Sequence, residues 1–276
     1  MTQPFLIAQI SDLHIKAGGK LSYKKVDTLG ALQAAIDKLN RLMPRPDIVV
    51  ITGDLVDFGR DDEYTTLRQE LGRLAMPYFV IPGNHDDRHA LRRGFSEHTY
   101  LFQHPTFIQW VVDEYPVRLI GLDSTISGEG GGKLCSQRLM WLDQQLSQQR
   151  EKTTLVMLHH PPFSCGITHM DQQYLTNPDG LAAIIQQHPQ VERILCGHVH
   201  RHIQSCFAGT LACSAPGLSH QVALNLLPDS PAHFVLEPAG FLLHYWLSGQ
   251  NVVTHYCVVE DAEGPYPFFD VNGLID

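Results

Sequence analysis

The chain has 276 residues, 43% of them hydrophobic and 18% charged, enough for one large α/β domain or for one domain with a smaller appendage. A formal charge of -9 and the lack of any Lys/Arg run leave no electrostatic footprint for nucleic acid, and no apolar run nears the ~20 residues of a membrane-spanning helix. The 16 histidines are the compositional outlier.

Residues 1–12 lack a basic n-region and are not expected to form a signal peptide, which suits a cytoplasmic protein. Residues 5–10 read as a first strand. Asp27 then reads as the N-cap of a helix running to Leu42, with Leu32, Ile36 and Leu39 on one face. Pro44 and Pro46 end it, and residues 47–52 form a strongly apolar strand. A helix over 61–75, with Leu67, Leu71 and Leu74 as its stripe, leads to a third strand at 78–81. Residues 86–115 read as a helix followed by a loop rich in aromatics and histidine. Residues 117–122 return to strand, 128–132 form a glycine-rich mobile loop, and a helix covers 136 to about 149. Strands at 154–158 and 193–196 flank a helix near 179–187.

Such alternation argues for a layered α/β architecture. After His202 strands follow one another without helices, at 202–207, 210–214, 233–236, 240–247 and 251–259, with a turn at 248–251 suited to a hairpin. Residues 1–201 are therefore expected to form the catalytic core. Residues 202–276 are expected to complete the second sheet and to add a small β-rich cap and tail. The tail, with Tyr266, Phe268 and Phe269, is expected to pack on the body or on a second subunit, so the cap could carry a homodimer or higher homo-oligomer. Six cysteines at irregular spacing, with no CxxC, read as free thiols; a Cys206–Cys213 bridge across a hairpin is the alternative.

Five short segments carry the chemistry: Asp12-x-His14, Gly53-Asp54, Gly83-Asn84-His85-Asp86, His159-His160 and Gly197-His198-x-His200. Four of them directly follow an apolar run, and parallel strands deliver their carboxyl ends to one edge. In an extended segment Asp12 and His14 would point to the same side, as would His198 and His200. Asp54 is a carboxylate at a buried strand end, which needs a cation or several donors; a helix N-cap is the competing reading. Of the adjacent pair, His159 is expected as the ligand and His160 as a packed neighbour. Mixed oxygen and nitrogen donors suit Zn²⁺, Mn²⁺, Fe or Co²⁺ better than Ca²⁺ or Mg²⁺, and the lack of cysteine argues against a purely structural zinc.

The order of these segments resembles that of the calcineurin-like metallophosphoesterase superfamily, D-x-H, G-D, G-N-H-D/E, H and G-H-x-H, over about residues 5–202. The resemblance implies a four-layer αββα sandwich with two divalent metal ions. Asp12, His14, Asp54 and His200 would hold one ion; Asp54, as bridge, with Asn84, His159 and His198 would hold the other. His85 would be catalytic without binding metal, stabilising the transition state or protonating the leaving alkoxide, the competing role being a supporting residue oriented by Asp54 or Asp86. Within the superfamily the chain resembles bacterial cyclic-nucleotide and glycerophosphodiester phosphodiesterases through Ile10-Ser-Asp-Leu-His14, Gly53-Asp-Leu-Val-Asp57 and Cys196-Gly-His-Val-His200. Similarity to the glycerophosphodiesterases is closer through Arg45-Pro-Asp47, Gly59-Arg-Asp-Asp-Glu-Tyr64 and Pro216-Gly-Leu-Ser-His-Gln221. The superfamily's protein phosphatases carry an Arg shortly after G-D and a Glu after G-N-H, where this chain has Phe58 and Asp86.

The expected function is hydrolysis of small phosphodiesters, glycerophosphodiesters first and 3',5'-cyclic nucleotides second. A non-catalytic protein that keeps the fold for interaction is the reading from another class. His220 is the leading candidate for a substrate contact, followed by Tyr23, His169 and Phe163.

Overall fold

The computed structural model of the chain describes residues 4–271 and 273–275, so residues 1–3, part of the segment read as carrying no signal peptide, lie outside it. Strands with unbroken apolar runs must be covered on both faces. β2 (Ile48–Ile51) and β3 (Tyr78–Val80) are such runs, as is β1 (Phe5–Ile10) but for the buried Gln9, and the three pair in parallel in the order β1-β2-β3. Their crossovers are α1 (Thr28–Arg41) and α2 (Asp61–Leu71); Asp27 caps α1 by accepting from the Gly30 amide. Leu32, Ile36 and Leu39 of α1 and Leu67 and Leu71 of α2 are wholly buried, as their helical spacing requires. Helix α2 stops short of the expected 75: the Gly72 amide closes it on the Arg68 and Glu70 carbonyls, and Leu74 packs from the turn beyond. α3 (Arg88–Gly94) follows β3.

The second sheet holds β4 (Trp110–Val112), β5 (Arg118–Gly121), β6 (Thr154–Met157), β7 (Val191–Cys196), β8 (Ile203–Phe207) and β9 (Thr210–Ser214), in the order β4-β5-β6-β7-β9-β8. β4 lies where a loop was expected. Three residues carry no periodicity, and the strand exists because it pairs with β5 and because the Trp110 indole donates to the Val80 carbonyl at 2.9 Å. Residues 128–132, expected as a mobile loop, are tied down: Gly132 donates to the Tyr174 carbonyl and the Gly130 carbonyl faces His160. α4 (Ser136–Gln148) and α6 (Pro178–Ile185) cover the outer face, while the short α5 (Thr168–Asp171) sits at the cleft. Alternate residues divide between two cores. Leu155, Met157 and Leu195 fill the space between the sheets, whereas Val156, Leu158 and Ile194 pack beneath α4 and α6. The layers are therefore helix, sheet, sheet, helix, the expected αββα sandwich.

After residue 202 the outcome differs from expectation. β8 and β9 do complete the second sheet, and β10 (Gln221–Val222) pairs with β11 (Phe234–Val235) beside the cleft. β12 (Gly240–Trp246) and β13 (Val253–Val258) instead extend the first sheet, β12 lying antiparallel to β1. Without β12 the outer edge of β1 would leave its ladder groups unpaired. In the tail, β14 (Phe269–Asp270) pairs with β15 (Gly273–Leu274); Tyr266, Phe268, Phe269 and Leu274 are exposed rather than packed on the body. All six cysteines are free, and the β8–β9 register sets Cys206 opposite Leu211 and Cys213 opposite Gln204, so the hairpin does not pair the two thiols. Among the described residues no helix is long and apolar enough to cross a membrane.

Candidate metal centre

The loops leaving β1, β2, β3, β6 and β7 meet at one edge of the sandwich. Asp12 (φ 55°), His14 (46°), Asp54 (48°), His198 (72°) and His200 (51°) all occupy the left-handed region, five of the eight described non-glycine residues that do so. The i, i+2 pairs therefore converge through tight turns, not through extended backbone as expected. Each such residue costs on the order of 1–2 kcal/mol and persists because its surroundings over-determine it. Asp12 donates its amide to the Gly53 carbonyl (3.1 Å), His14 to Asp54 (3.0 Å), and Gly197 to His159 (3.0 Å). The neighbouring glycines are forced by contact. A Cβ on Gly53 would lie 2.4 Å from His159 Nδ1, one on Gly83 2.2 Å from Asp54 Oδ1, and one on Gly197 2.1 Å from Ser11 Oγ.

Asp12, His14, Asp54 and His200 offer ligand atoms that all lie within 4.8 Å of one another, and all four are buried. The Nε2 atoms of His14 and His200 face each other at 3.1 Å, and His200 Nε2 is 3.4 Å from Asp12 Oδ1. Donors bound to one transition-metal ion at about 2.1 Å stand roughly 3–3.5 Å apart, so this spacing fits a cation. Alongside lie Asn84 and His159, with His159 Nε2 3.2 Å from Asn84 Oδ1. His198 Nε2 is buried with no hydrogen-bond partner, the orphan expected of an atom reserved for an ion. Asp54 Oδ2 links the groups: it is 3.6 Å from His14 Nε2 and 3.4 Å from His159 Nε2, while Oδ1 accepts from the His85 amide. Asp54 caps no helix, since α2 begins only after Arg60.

Backbone carbonyls set the histidine tautomers. Nδ1 of His159 donates to Thr52 O (2.7 Å), that of His200 to His220 O (3.1 Å) and that of His85 to Asp57 O (2.8 Å), which turns each Nε2 away from its carbonyl. His85 is thus oriented by Asp57, not by Asp54 or Asp86 side chains. The Asp57 carboxylate lies 3.4 Å from His14 Nδ1 and 3.3 Å from Lys16 Nζ. His160 is close enough to His159 and His198 to share an ion, but both its nitrogens are committed, Nδ1 to Ser124 Oγ (2.8 Å) and Nε2 to Gly130 O (3.1 Å). It packs, as expected. The Asp86 carboxylate accepts from the Gly83 and Leu55 amides and the Tyr64 hydroxyl, clamping two ligand loops together; burial and the nearby Asp54 raise it to about 6.

Burial opposes charge throughout the centre. It is outweighed at Asp54, held well below the usual carboxylate range by His159, His85 and His14, and at His159, which Asp54 pushes up to about 9. At His198 and His200 burial prevails and lowers both to about 3, leaving neutral donors.

A cleft of 280 Å³ opens over these groups, with His14, Asp54, Asn84, His85, His198 and His200 in its floor. His220, Tyr23 and His169, the candidates for substrate contact, line its wall. His220 is buried, its ring 4.6 Å from that of His200 and 5.4 Å from that of Tyr23. Phe163 does not line the cleft; it packs on the outer core of the second sheet. Sequence reasoning missed Met170, Gln173, Val222, Ala232, His233 and Phe234, which complete the wall. Only His233 and Phe234 carried any signal, a predicted strand without a role. Among the described residues no Lys or Arg lines the cleft.

The sequence pattern of the calcineurin-like phosphoesterases matches residues 5–202, and the chain belongs to that family. Over 273 residues it is 42% identical to the "Probable glycerophosphodiester phosphodiesterase GpdQ" of Arcobacter nitrofigilis, covering 98% of this chain and 100% of that one. It is 30% identical to the "Probable cyclic nucleotide phosphodiesterase RPA0124" of Rhodopseudomonas palustris, covering 90% of each. Among solved structures, a dimetal phosphatase from Danio rerio superposes with a TM-score of 0.69 at 18% identity, over 93% of this chain and 97% of that one, a likeness of fold.

Proposed function

We propose that the protein is a binuclear-metal phosphodiesterase that hydrolyses glycerophosphodiesters. The observation that carries this reading is Asp54 Oδ2, poised between His14 and His159 at the meeting point of two sets of donors. Asp12, His14, Asp54 and His200 would hold one divalent ion, and Asp54, Asn84, His159 and His198 the other. When bound, the two ions supply Lewis acidity that lowers the pKa of water and neutralises phosphoryl oxygens. The chain supplies the rest. The buried ligands hold the donor geometry, and His85, its Nδ1 proton fixed on Asp57 O, would as the doubly protonated ring turn Nε2–H toward the leaving oxygen and give up that proton. Oxygen or imidazole donors without cysteine are compatible with Fe, Mn, Zn or Co.

The cleft supports a diester over a monoester. A diester carries one negative charge, and among the described residues no Lys or Arg lines the wall to pair with a second. Identity to the glycerophosphodiesterase relative, 42% against 30% for the cyclic-nucleotide relative, favours the former substrate. The cyclic-nucleotide reading keeps one observation in its favour: Tyr23 and Phe234 pair at 5.2 Å on the cleft wall, a surface on which a base could stack. Comparison of kcat/KM for glycerophosphoethanolamine, glycerophosphocholine and cyclic AMP separates the two. A preference of more than tenfold for the cyclic nucleotide would overturn the first reading.

A further inference from the structure

Directly beneath the ligand loops, the space between the two sheets contains a buried polar chain. Gln9 of β1 is fully buried three residues before Asp12. Its Nε2 donates to Thr52 Oγ1 (3.0 Å) and to the Cys196 carbonyl (2.9 Å), and the Thr52 hydroxyl in turn donates to that carbonyl at 3.3 Å. Gln9 Oε1 accepts from His244 Nε2 (3.1 Å), and His244 Nδ1 accepts from the Thr254 hydroxyl (2.9 Å). A neutral His244 with its hydrogen on Nε2 satisfies every member. The amide of Gln9 then has a fixed orientation, with both donors and its acceptor used.

The partners of Gln9 stand at the last rung before the metal ligands. Thr52 precedes Gly53-Asp54, and Cys196 precedes Gly197-His198. The Thr52 carbonyl also receives Nδ1 of His159 (2.7 Å) and the Ser11 hydroxyl (3.3 Å). One side chain thus joins β1 and β2 of the first sheet to β7 of the second, and through Thr52 it reaches the histidine carried by β6. A shift of one sheet against the other would part Asp12 from His200 and Asp54 from His159, which now stand 3.4 Å apart in each case. A Leu or Met would fill the same space without setting that separation, because only a directional group with all its partners met defines a register between packed sheets.

We propose that Gln9, held by His244, is a positioning residue that sets the separation of the metal-ligand loops of the two sheets. The inference rests on reading Asp54, His159 and His198 as metal ligands. Its test is titration of the metal-free full chain with Mn²⁺ alone by calorimetry, together with the electron paramagnetic resonance of the bound Mn²⁺ pair, whose coupling depends on the distance between ions. Gln9→Met and His244→Phe should each weaken Mn²⁺ binding roughly 10- to 100-fold, the range typical for residues that orient ligands, and should alter the coupled signal. The double variant should lose less than the product of the two single effects, since both break one chain. His244→Gln, which keeps a side-chain N–H toward Gln9, should recover most of the affinity. Unchanged Mn²⁺ affinity and signal in Gln9→Met, with only a lowered Tm, would overturn the proposal and leave the chain as sheet packing. If Gln9→Met does not fold, His244→Phe decides by the same readout. A wild-type protein that takes up no Mn²⁺ would instead overturn the reading of the centre itself.

Discussion

At Asp54 two sets of donors meet in one carboxylate, and the sharpest residue-level predictions concern it and its neighbours. Asp54→Ala should abolish hydrolysis and remove metal from both sites, as read by elemental analysis of the purified protein; retained activity would sink the bridging role. His85→Ala should leave metal content unchanged and lower kcat roughly 10²- to 10⁴-fold on an alkyl diester. On bis(p-nitrophenyl) phosphate, whose leaving group needs no proton, the loss should be smaller, and equal losses on both would argue against proton donation. The Asp54–His159 pair also has a pH signature. His159 is pushed up to about 9 from 6.5, so its share of metal-free stability is full below 6.5 and fades as pH rises toward 9. The same proton must leave before Nε2 binds a cation, so metal affinity should climb with pH up to about 9. Calorimetry at neutral pH in buffers of different ionisation enthalpy should register proton release; heats independent of buffer would contradict it. The ligand types were legible in the sequence because oxygen and imidazole at strand ends have few other uses in such numbers. The orienting carbonyls of Thr52, His220 and Asp57 were not, because a backbone acceptor leaves no mark in residue identity.

Among the elements, turns matter more than strands for delivering the ligands. The alternation of an extended chain would have set Asp12 beside His14, yet both sit at positive φ, as do His198 and His200. Local pattern identifies where a strand ends and a glycine stands; it does not report the dihedral that tertiary contact imposes. The glycines give a direct check. Gly197→Ala would drive a Cβ into Ser11 Oγ and the Thr52 carbonyl, and Gly53→Ala into His159. Each should destabilise by about 1–3 kcal/mol, the usual range for overpacking a filled core, with a fall in Tm and weaker metal uptake. Unchanged Tm and uptake would show that these loops are not tightly packed. β4 was illegible for another reason: a three-residue strand has no period, and Trp110 is held by contacts distant in sequence, the pairing with β5 and the Val80 carbonyl across the sandwich.

For the whole molecule, the helix-sheet-sheet-helix layering followed from strand and helix alternation, since each apolar strand had to be covered on both faces. Which sheet the late strands join did not follow, because β1 and β8 both offered an edge and periodicity does not choose between them. The same limit applies to the cleft. His220, Tyr23 and His169 were anticipated, but Met170, Gln173 and Phe234 reach the wall only through the packing of α5 and β11. On the proposed reading, the reaction stands on the floor of the cleft and the choice among diesters on its wall. The central claim is that two ions share Asp54 and that hydrolysis needs both. It is tested most directly by titrating metal-free protein with Mn²⁺ while following hydrolysis of glycerophosphoethanolamine. Activity should be absent without metal and should rise until two equivalents are bound. Full activity in metal-free protein, or a plateau at one equivalent, would contradict the account.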